Sequence, residues 1–243
     1  MMEIAQSIGG FMHESNVAIW DSLLTAQLDG LIEGNLFEIG VFKGRSASIL
    51  CQHLRPTEEL WLVDFSDFLS EAQNNLKALL TPGVRFEHCK SSALWLKADL
   101  AAKRRTFRWI HIDGDHTGEA VVNDLNLAAD LLSDGGLVCV DDFFNPVYPQ
   151  ITAAVYAWLT THPFELELIL CGQNKAYLAR PTHAHVYFAF IRNKLAAALQ
   201  ARGYGYLALF KTTATGDSNC WGVSQRRDHR DYFGLDSNPD LIL

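Results

Sequence analysis

Arg108-Trp-Ile-His-Ile-Asp-Gly-Asp-His116 and Gly135-Gly-Leu-Val-Cys-Val-Asp-Asp142 decide how this chain folds. Each is a short apolar run that ends abruptly in carboxylates. Runs of this kind, bounded by glycine and without helical periodicity, read as strands buried on both faces of a parallel sheet. Two such strands side by side deliver their last residues to the same edge, and that carboxyl edge is where open α/β sheets bind ligands. Asp113, Asp115, Asp141 and Asp142 are expected to crowd together there. Four carboxylates repel one another unless a cation or protons intervene, so a cation is expected among them.

The rest of the chain falls into place around these strands. Leu36 to Gly40, Glu59 to Asp64 and Val84 to Cys89 read as three further strands, with helices over 44–54, 70–80, 93–100 and 119–132 between them. Five strands alternating with helices predict a doubly wound α/β sheet with right-handed crossovers. An earlier helix over 14–28 carries Val17, Trp20, Leu24 and Leu28 at helical spacing, with Ser15 or Asn16 as candidate caps. After Asp142 comes a helix over 149–161. The strands Phe164–Cys171 and Lys175–Arg180 then flank Gly172-Gln-Asn174, a link so short that the pair must be antiparallel. The resulting sheet is seven-stranded and mostly parallel, closed by an antiparallel hairpin. Residues 1–182 form the principal domain. Residues 183–243 form an appendage to it, with a helix over 186–201, a second hairpin from 205–213 and 220–225, and a polar tail. A lid or a contact between copies in a homo-oligomer is the expected role of this appendage.

Bulk properties exclude several classes. The chain has 243 residues, 49% hydrophobic and 20% charged, with a formal net charge of −8. An acidic chain is a poor partner for a nucleic-acid backbone, and no basic run suits an anionic membrane. No stretch approaches the ~18 consecutive apolar residues of a membrane span. Met1-Met-Glu-Ile-Ala-Gln-Ser lacks the basic start and apolar core of a signal peptide, so a cytoplasmic protein is expected. Five scattered cysteines without CxxC spacing argue against a disulfide framework or a zinc site.

The first strand turns into its helix through Glu38-Ile-Gly40-Val-Phe-Lys-Gly44-Arg-Ser46. Glycine at 40 lets backbone approach a ligand, and free N–H groups at the following helix start suit an anion such as a carboxylate. The spacing is neither the Gly-x-Gly-x-x-Gly of dinucleotide binders nor a phosphate loop. Asp64, ending the second strand, is placed to accept hydrogen bonds from both hydroxyls of a ribose.

Glu38-Ile-Gly-Val-Phe-Lys-Gly44, the Asp64 strand end, Ile112-Asp-Gly-Asp-His116 and the 164–180 hairpin together resemble the class I S-adenosylmethionine-dependent methyltransferases. Asp113-Gly-Asp115 followed by Val140-Asp-Asp142 resembles more narrowly the macrocin-type sugar O-methyltransferases, and less closely the catechol and caffeoyl-CoA O-methyltransferases. The likeness covers roughly residues 30–180. It implies that the methionine end of S-adenosylmethionine lies near Glu38, Gly40, Gly44 and Ser46, with Asp113 beside it. It implies ribose on Asp64, adenine near Ser91 or Ser92, and a divalent cation, Mg²⁺, on Asp113, Asp141 and Asp142. Three carboxylates without soft ligands suit such a hard ion.

The chemistry this implies is O-methylation of a small hydroxylated molecule, with Asp115 or His116 taking the hydroxyl proton. His116 departs from the macrocin-type pattern, where an apolar residue is usual. It opens an alternative: a methyltransferase of the same fold with His116 as base and no metal. A nicotinamide oxidoreductase is disfavoured by the glycine spacing, and a non-catalytic nucleoside-binding module by the acidic cluster. His111, inside an apolar run, reads as an ordinary core residue.

Overall fold

A computed structural model describes residues 2–211 and 220–225. Among the described residues, nine strands form one sheet: β1 (Asn35–Ile39), β2 (Leu60–Asp64), β3 (Val84–His88), β4 (Phe107–Ile112), β5 (Leu132–Asp141), β6 (Glu167–Gly172), β7 (Lys175–Ala179), β8 (Leu207–Lys211) and β9 (Trp221–Gln225). Their spatial order is β3-β2-β1-β4-β5-β7-β6-β9-β8. The first five are parallel and β7 inserts antiparallel between β5 and β6, as the short Gly172-Gln-Asn174 link requires. The expected seven strands become nine because the second hairpin does not stand apart. β9 pairs parallel with β6, and β8 then closes on β9. Covering β6 in this way removes an open edge with unpaired backbone groups.

The period-2 alternation of the strands divides the interior into two cores. Trp109 of β4 and Tyr177 of β7 face α2 (Glu14–Asp29), where Trp20 meets Trp109 edge-on at 5.1 Å. Helices α1 (Met2–Ser7), α3 (Arg45–His53), α4 (Phe68–Leu76), α8 (Pro181–Phe190) and α9 (Ala196–Ala201) lie on the same side. Ile110, Ile112 and Val138 face the other way, against α6 (Gly118–Leu131) and α7 (Pro149–Thr161). Ahead of β4 in sequence, α5 (Ala98–Ala101) is a single turn after the 3₁₀ segment Ser91–Leu96, so the helix expected over 93–100 is broken in two. The 186–201 helix starts five residues early, because Pro181 fits the first turn, and it continues through a π-turn at Ile191–Leu195.

Two polar anchors set the position of the ligand edge. At the opposite edge, Arg108 is fully buried and grips both oxygens of Glu58 at 2.8 Å, with Gln27 Oε1 and the His53 carbonyl taking further N–H groups. Four of its five N–H groups are thus bonded, and loss of the Glu58 partner would leave a costly bare charge. At the ligand edge, α2 is capped by His13, whose Nδ1 accepts from the Ser15 N–H, rather than by Ser15 or Asn16. Those two residues reach instead to Gln173: Ser15 Oγ donates to its side-chain oxygen at 2.9 Å and Asn16 Nδ2 to its carbonyl at 2.8 Å. The start of α2 is thereby stapled to the 172–174 turn.

Candidate active site

Where β1 ends, Gly40 has φ +84°, and a β-carbon there would lie 1.8 Å from the carbonyl oxygen of Asp113. Only glycine lets β1 and the β4 exit run this close. The chain then turns through Val41 and Phe42, whose N–H groups donate to Asp64 Oδ2 at 2.9 and 2.8 Å. Ser66 N–H donates to Asp64 Oδ1 at 2.7 Å. A carboxylate offers about four lone-pair positions, so the backbone occupies three of them and one remains, on Oδ1, for a ligand hydroxyl. The carboxylate thus shapes the glycine turn as well as facing the cavity, so it shares its hydrogen-bonding positions with any ligand hydroxyl it meets. Phe42 sits at φ +48° with its ring between Phe11 and Phe68. Backbone in this region costs a non-glycine residue roughly 1–3 kcal/mol and concentrates at functional sites.

The turn opens into a cavity of about 1100 Å³ along the carboxyl edge of the sheet. Gly40, Ser46 and Asp64 line it at one end, Ser91 and Ser92 beside the β3 exit, and Asp113, Asp115, His116, Asp141 and Asp142 opposite. The volume exceeds the span typical of small-molecule sites, leaving room for a nucleoside cofactor together with an acceptor. Two expected contacts lie outside the lining. Gly44 caps α3 and packs on Leu76, where a β-carbon would sit 3.1 Å from a methyl group. Glu38 is fully buried behind the turn, with Oε1 2.7 Å from His111 Nδ1 and Oε2 without a partner. A buried carboxylate oxygen without a partner is complementary to a cationic group such as an ammonium, although Glu38 does not itself line the cavity.

His111 is not an ordinary core residue. It lies between two carboxylates, with Nδ1 on Glu38 and Nε2 3.7 Å from Asp141 Oδ2 and without a hydrogen-bond partner, and Trp20 packs edge-on against its ring at 4.6 Å. Burial disfavours its charge, yet Asp141 and Glu38 outweigh that and raise its pKa to about 9. Asp141 also holds Lys175, which is 1% exposed and bonds the same Oδ2. Burial works against ionised Asp141, but the lysine charge beside it keeps the carboxyl well below its usual range.

The second half of the cluster is built around His116. Its Nε2 lies 3.0 Å from Asp142 Oδ2 and 3.7 Å from Asp113 Oδ1, and its ring stacks on Tyr148 at 4.2 Å. Asp113 and Asp142 raise its pKa to about 10. Asp142 is itself clamped, since Asn145 and Asn174 both donate to its Oδ1, at 2.6 and 2.7 Å. Asp113 moves in the other direction: burial and the neighbouring Asp141 charge push its pKa up. Asp115 is exposed at the cavity rim and accepts from the Thr117 N–H at 3.0 Å, a turn-forming bond ahead of α6.

Asp113, Asp141 and Asp142 gather at this edge as expected, Asp115 does not join them, and the repulsion is offset by side chains of the chain itself, Lys175 and His116. Two sets of three groups bring ligand atoms within 4.8 Å of one another: His111 with Asp113 and Asp141, and Asp113 with His116 and Asp142. Among the described residues, Asp113, Asp141 and Asp142 do not form one such set. Each set includes an imidazole, which departs from the all-oxygen surroundings Mg²⁺ prefers. As arranged here, the donors do not fit the expected ion.

Comparison with known proteins agrees with this geometry. A family model described as a methyltransferase domain matches residues 37–143, the segment from β1 to the Asp141–Asp142 exit. Among solved structures, the O-methyltransferase NovP superposes with a TM-score of 0.57 at 21% identity, over 69% of this chain and 80% of that one. CalS11, a TDP-rhamnose 3'-O-methyltransferase of calicheamicin biosynthesis, gives 0.55 at 19%, over 68% and 78%. TomG from Streptomyces achromogenes, an O-methyltransferase of tomaymycin synthesis solved with S-adenosylmethionine, gives 0.50 at 17%, over 65% and 78%. At these identities the likeness is one of fold. A search among curated proteins found none that matches. Sheet order, glycine turn and cavity are those of a doubly wound α/β fold with a ligand-sized opening at the carboxyl edge of its sheet. The family match makes residues 37–143 similar to a methyltransferase domain, and the solved neighbours share the fold of this chain.

Lys175, Tyr148, Asn145 and Asn174 were not singled out from the sequence. Lys175 did carry a signal, a lysine opening the otherwise buried strand Lys-Ala-Tyr-Leu-Ala, but its meaning depends on the register that sets it opposite Asp141.

Proposed function

We propose that this chain methylates a hydroxyl group of a small molecule, with His116 as general base and without a bound divalent cation. The observation that carries the proposal is the His116–Asp142 pair, clamped by Asn145 and Asn174 and stacked on Tyr148, facing the same cavity as the Gly40 turn. A base held by a carboxylate that is itself held is the arrangement that general-base chemistry requires.

S-adenosylmethionine, when bound, supplies an electrophilic methyl group on a sulfonium. The residues of this chain do the rest. Gly40, Val41 and Phe42 present a close-approaching backbone, Asp64 offers its remaining lone pair, and Glu38 offers its unpartnered oxygen behind the turn. His116 takes the acceptor proton, and Asp142 stabilises the imidazolium that results. Holding acceptor and donor in line accounts for most of the acceleration, for which ~7–11 kcal/mol is attainable.

The small acceptor is supported by the net charge of −8 and by polar side chains in the cavity lining, among them His13, Asn145, Gln173 and Asn174. O-methyl transfer is supported by the histidine base and by neighbours whose names are those of O-methyltransferases. The test is methyl transfer from radiolabelled S-adenosylmethionine to a panel of sugars, phenols and hydroxylated natural products, with and without EDTA. Transfer to a hydroxyl that survives EDTA and is lost in His116→Gln is the expected result. Activity abolished by EDTA and restored by Mg²⁺ would return the reading to metal-assisted transfer.

A further inference from the structure

We propose that Lys175 is the resident cation of this site, a positioning residue that does electrostatically what a divalent ion would do between the strand-end carboxylates. The inference rests on the metal-free reading above. Three observations carry it. First, β5 and β7 pair antiparallel with Asp141 directly opposite Lys175, so backbone register delivers the ammonium to the carboxylate. Second, Lys175 is 1% exposed and yet belongs to the cavity lining, with Nζ on Asp141 Oδ2 and 5.7 Å from the Trp20 ring centroid. Third, the same carboxylate oxygen lies 3.7 Å from His111 Nε2, which continues through Nδ1 to Glu38 at 2.7 Å. Lys175 thus fixes Asp141 at one end of a row of charged groups, Asp141, His111 and Glu38, that runs from the β5 exit to behind the glycine turn.

Stability does not explain this lysine. A buried ion pair is often no better for folding than apolar residues of similar volume, and the rest of β7 is apolar and fully buried. What an ammonium provides that a methionine would not is a fixed charge at the cavity floor. It offsets Asp141, and it occupies the space in which a metal would need to approach that oxygen.

The experiment is a Mn²⁺ titration of the full chain, followed by electron paramagnetic resonance and calorimetry, on wild type, Lys175→Met and Lys175→Arg. Mn²⁺ serves as the probe because it accepts both carboxylate and imidazole ligands. Wild type and Lys175→Arg are expected to take up no stoichiometric Mn²⁺. Lys175→Met, neutral and of similar volume, is expected to gain one site per chain with affinity at least about tenfold above wild type. Circular dichroism and S-adenosylhomocysteine binding verify that the variants fold. Lys175→Gln repeats the neutral replacement should methionine not be tolerated. Tight one-to-one uptake by wild type, or no gain in either neutral variant, overturns the proposal. Because the readout is metal binding, it stays decisive even if no acceptor is ever methylated, an outcome that would count against the proposed function alone.

Discussion

The pH dependence of methyl transfer is the sharpest consequence of this geometry. His116 is only partly buried, but its imidazolium lies against Asp142 at 3.0 Å and Asp113 at 3.7 Å, and its pKa is raised to about 10 in the ligand-free chain. A base must be deprotonated to act, so its activity is present above that pKa and lost as pH falls through it. In kcat/KM for S-adenosylmethionine, which reports the free enzyme, the rate should rise about tenfold per pH unit below the midpoint. Between pH 7 and pH 9 that amounts to roughly a hundredfold. At saturating cofactor the sulfonium charge opposes the imidazolium, so the midpoint of kcat should lie at lower pH than that of kcat/KM. His116→Gln keeps the size and polarity of the side chain but cannot take the proton. It should lower kcat by ~10²–10⁴ and abolish the alkaline rise while leaving S-adenosylhomocysteine affinity within about twofold. The assay is initial-rate methyl transfer from pH 6 to 10, with calorimetry for binding. A flat wild-type profile, or a glutamine variant that keeps both rate and slope, would refute the assignment of His116 as base.

Three further outcomes follow from the same contacts. Gly40→Ala places a β-carbon 1.8 Å from the Asp113 carbonyl at φ +84°, so it should abolish cofactor binding and lower the melting temperature. Asp64→Asn puts an amide where three backbone N–H groups need acceptors. At about 1–3 kcal/mol for each donor left unmet, cofactor affinity measured by calorimetry should fall at least about tenfold. Leu125→Ala removes a fully buried side chain between α6 and the sheet and should destabilise by about 2–5 kcal/mol in denaturant titrations, with kcat per folded molecule unchanged.

The linear sequence already contained the parallel sheet, because Arg108–His116 and Gly135–Asp142 are short, glycine-bounded apolar runs with no helical period, and a strand buried on both faces is the setting that suits them. It contained the carboxyl-edge cluster for the same reason, since both runs end in aspartates and parallel neighbours bring their ends together. The glycine turn and the 172–174 hairpin were equally local. Three things were not local. Asp64 looked like a ribose ligand, but most of its hydrogen-bonding capacity goes to backbone N–H groups that face it only after β1 and β2 pair. His111 looked like core packing until strand register set it between Glu38 and Asp141. The chain also supplies its own counter-cations. Lys175 meets Asp141 across an antiparallel pair and His116 folds back onto Asp142, whereas charge counting along the chain could say only that some cation was needed. Composition and period thus determine which elements form and at which edge polar groups gather. The partner of each charge is decided by register and packing, because electrostatic energy depends on distances that exist only once the sheet is assembled.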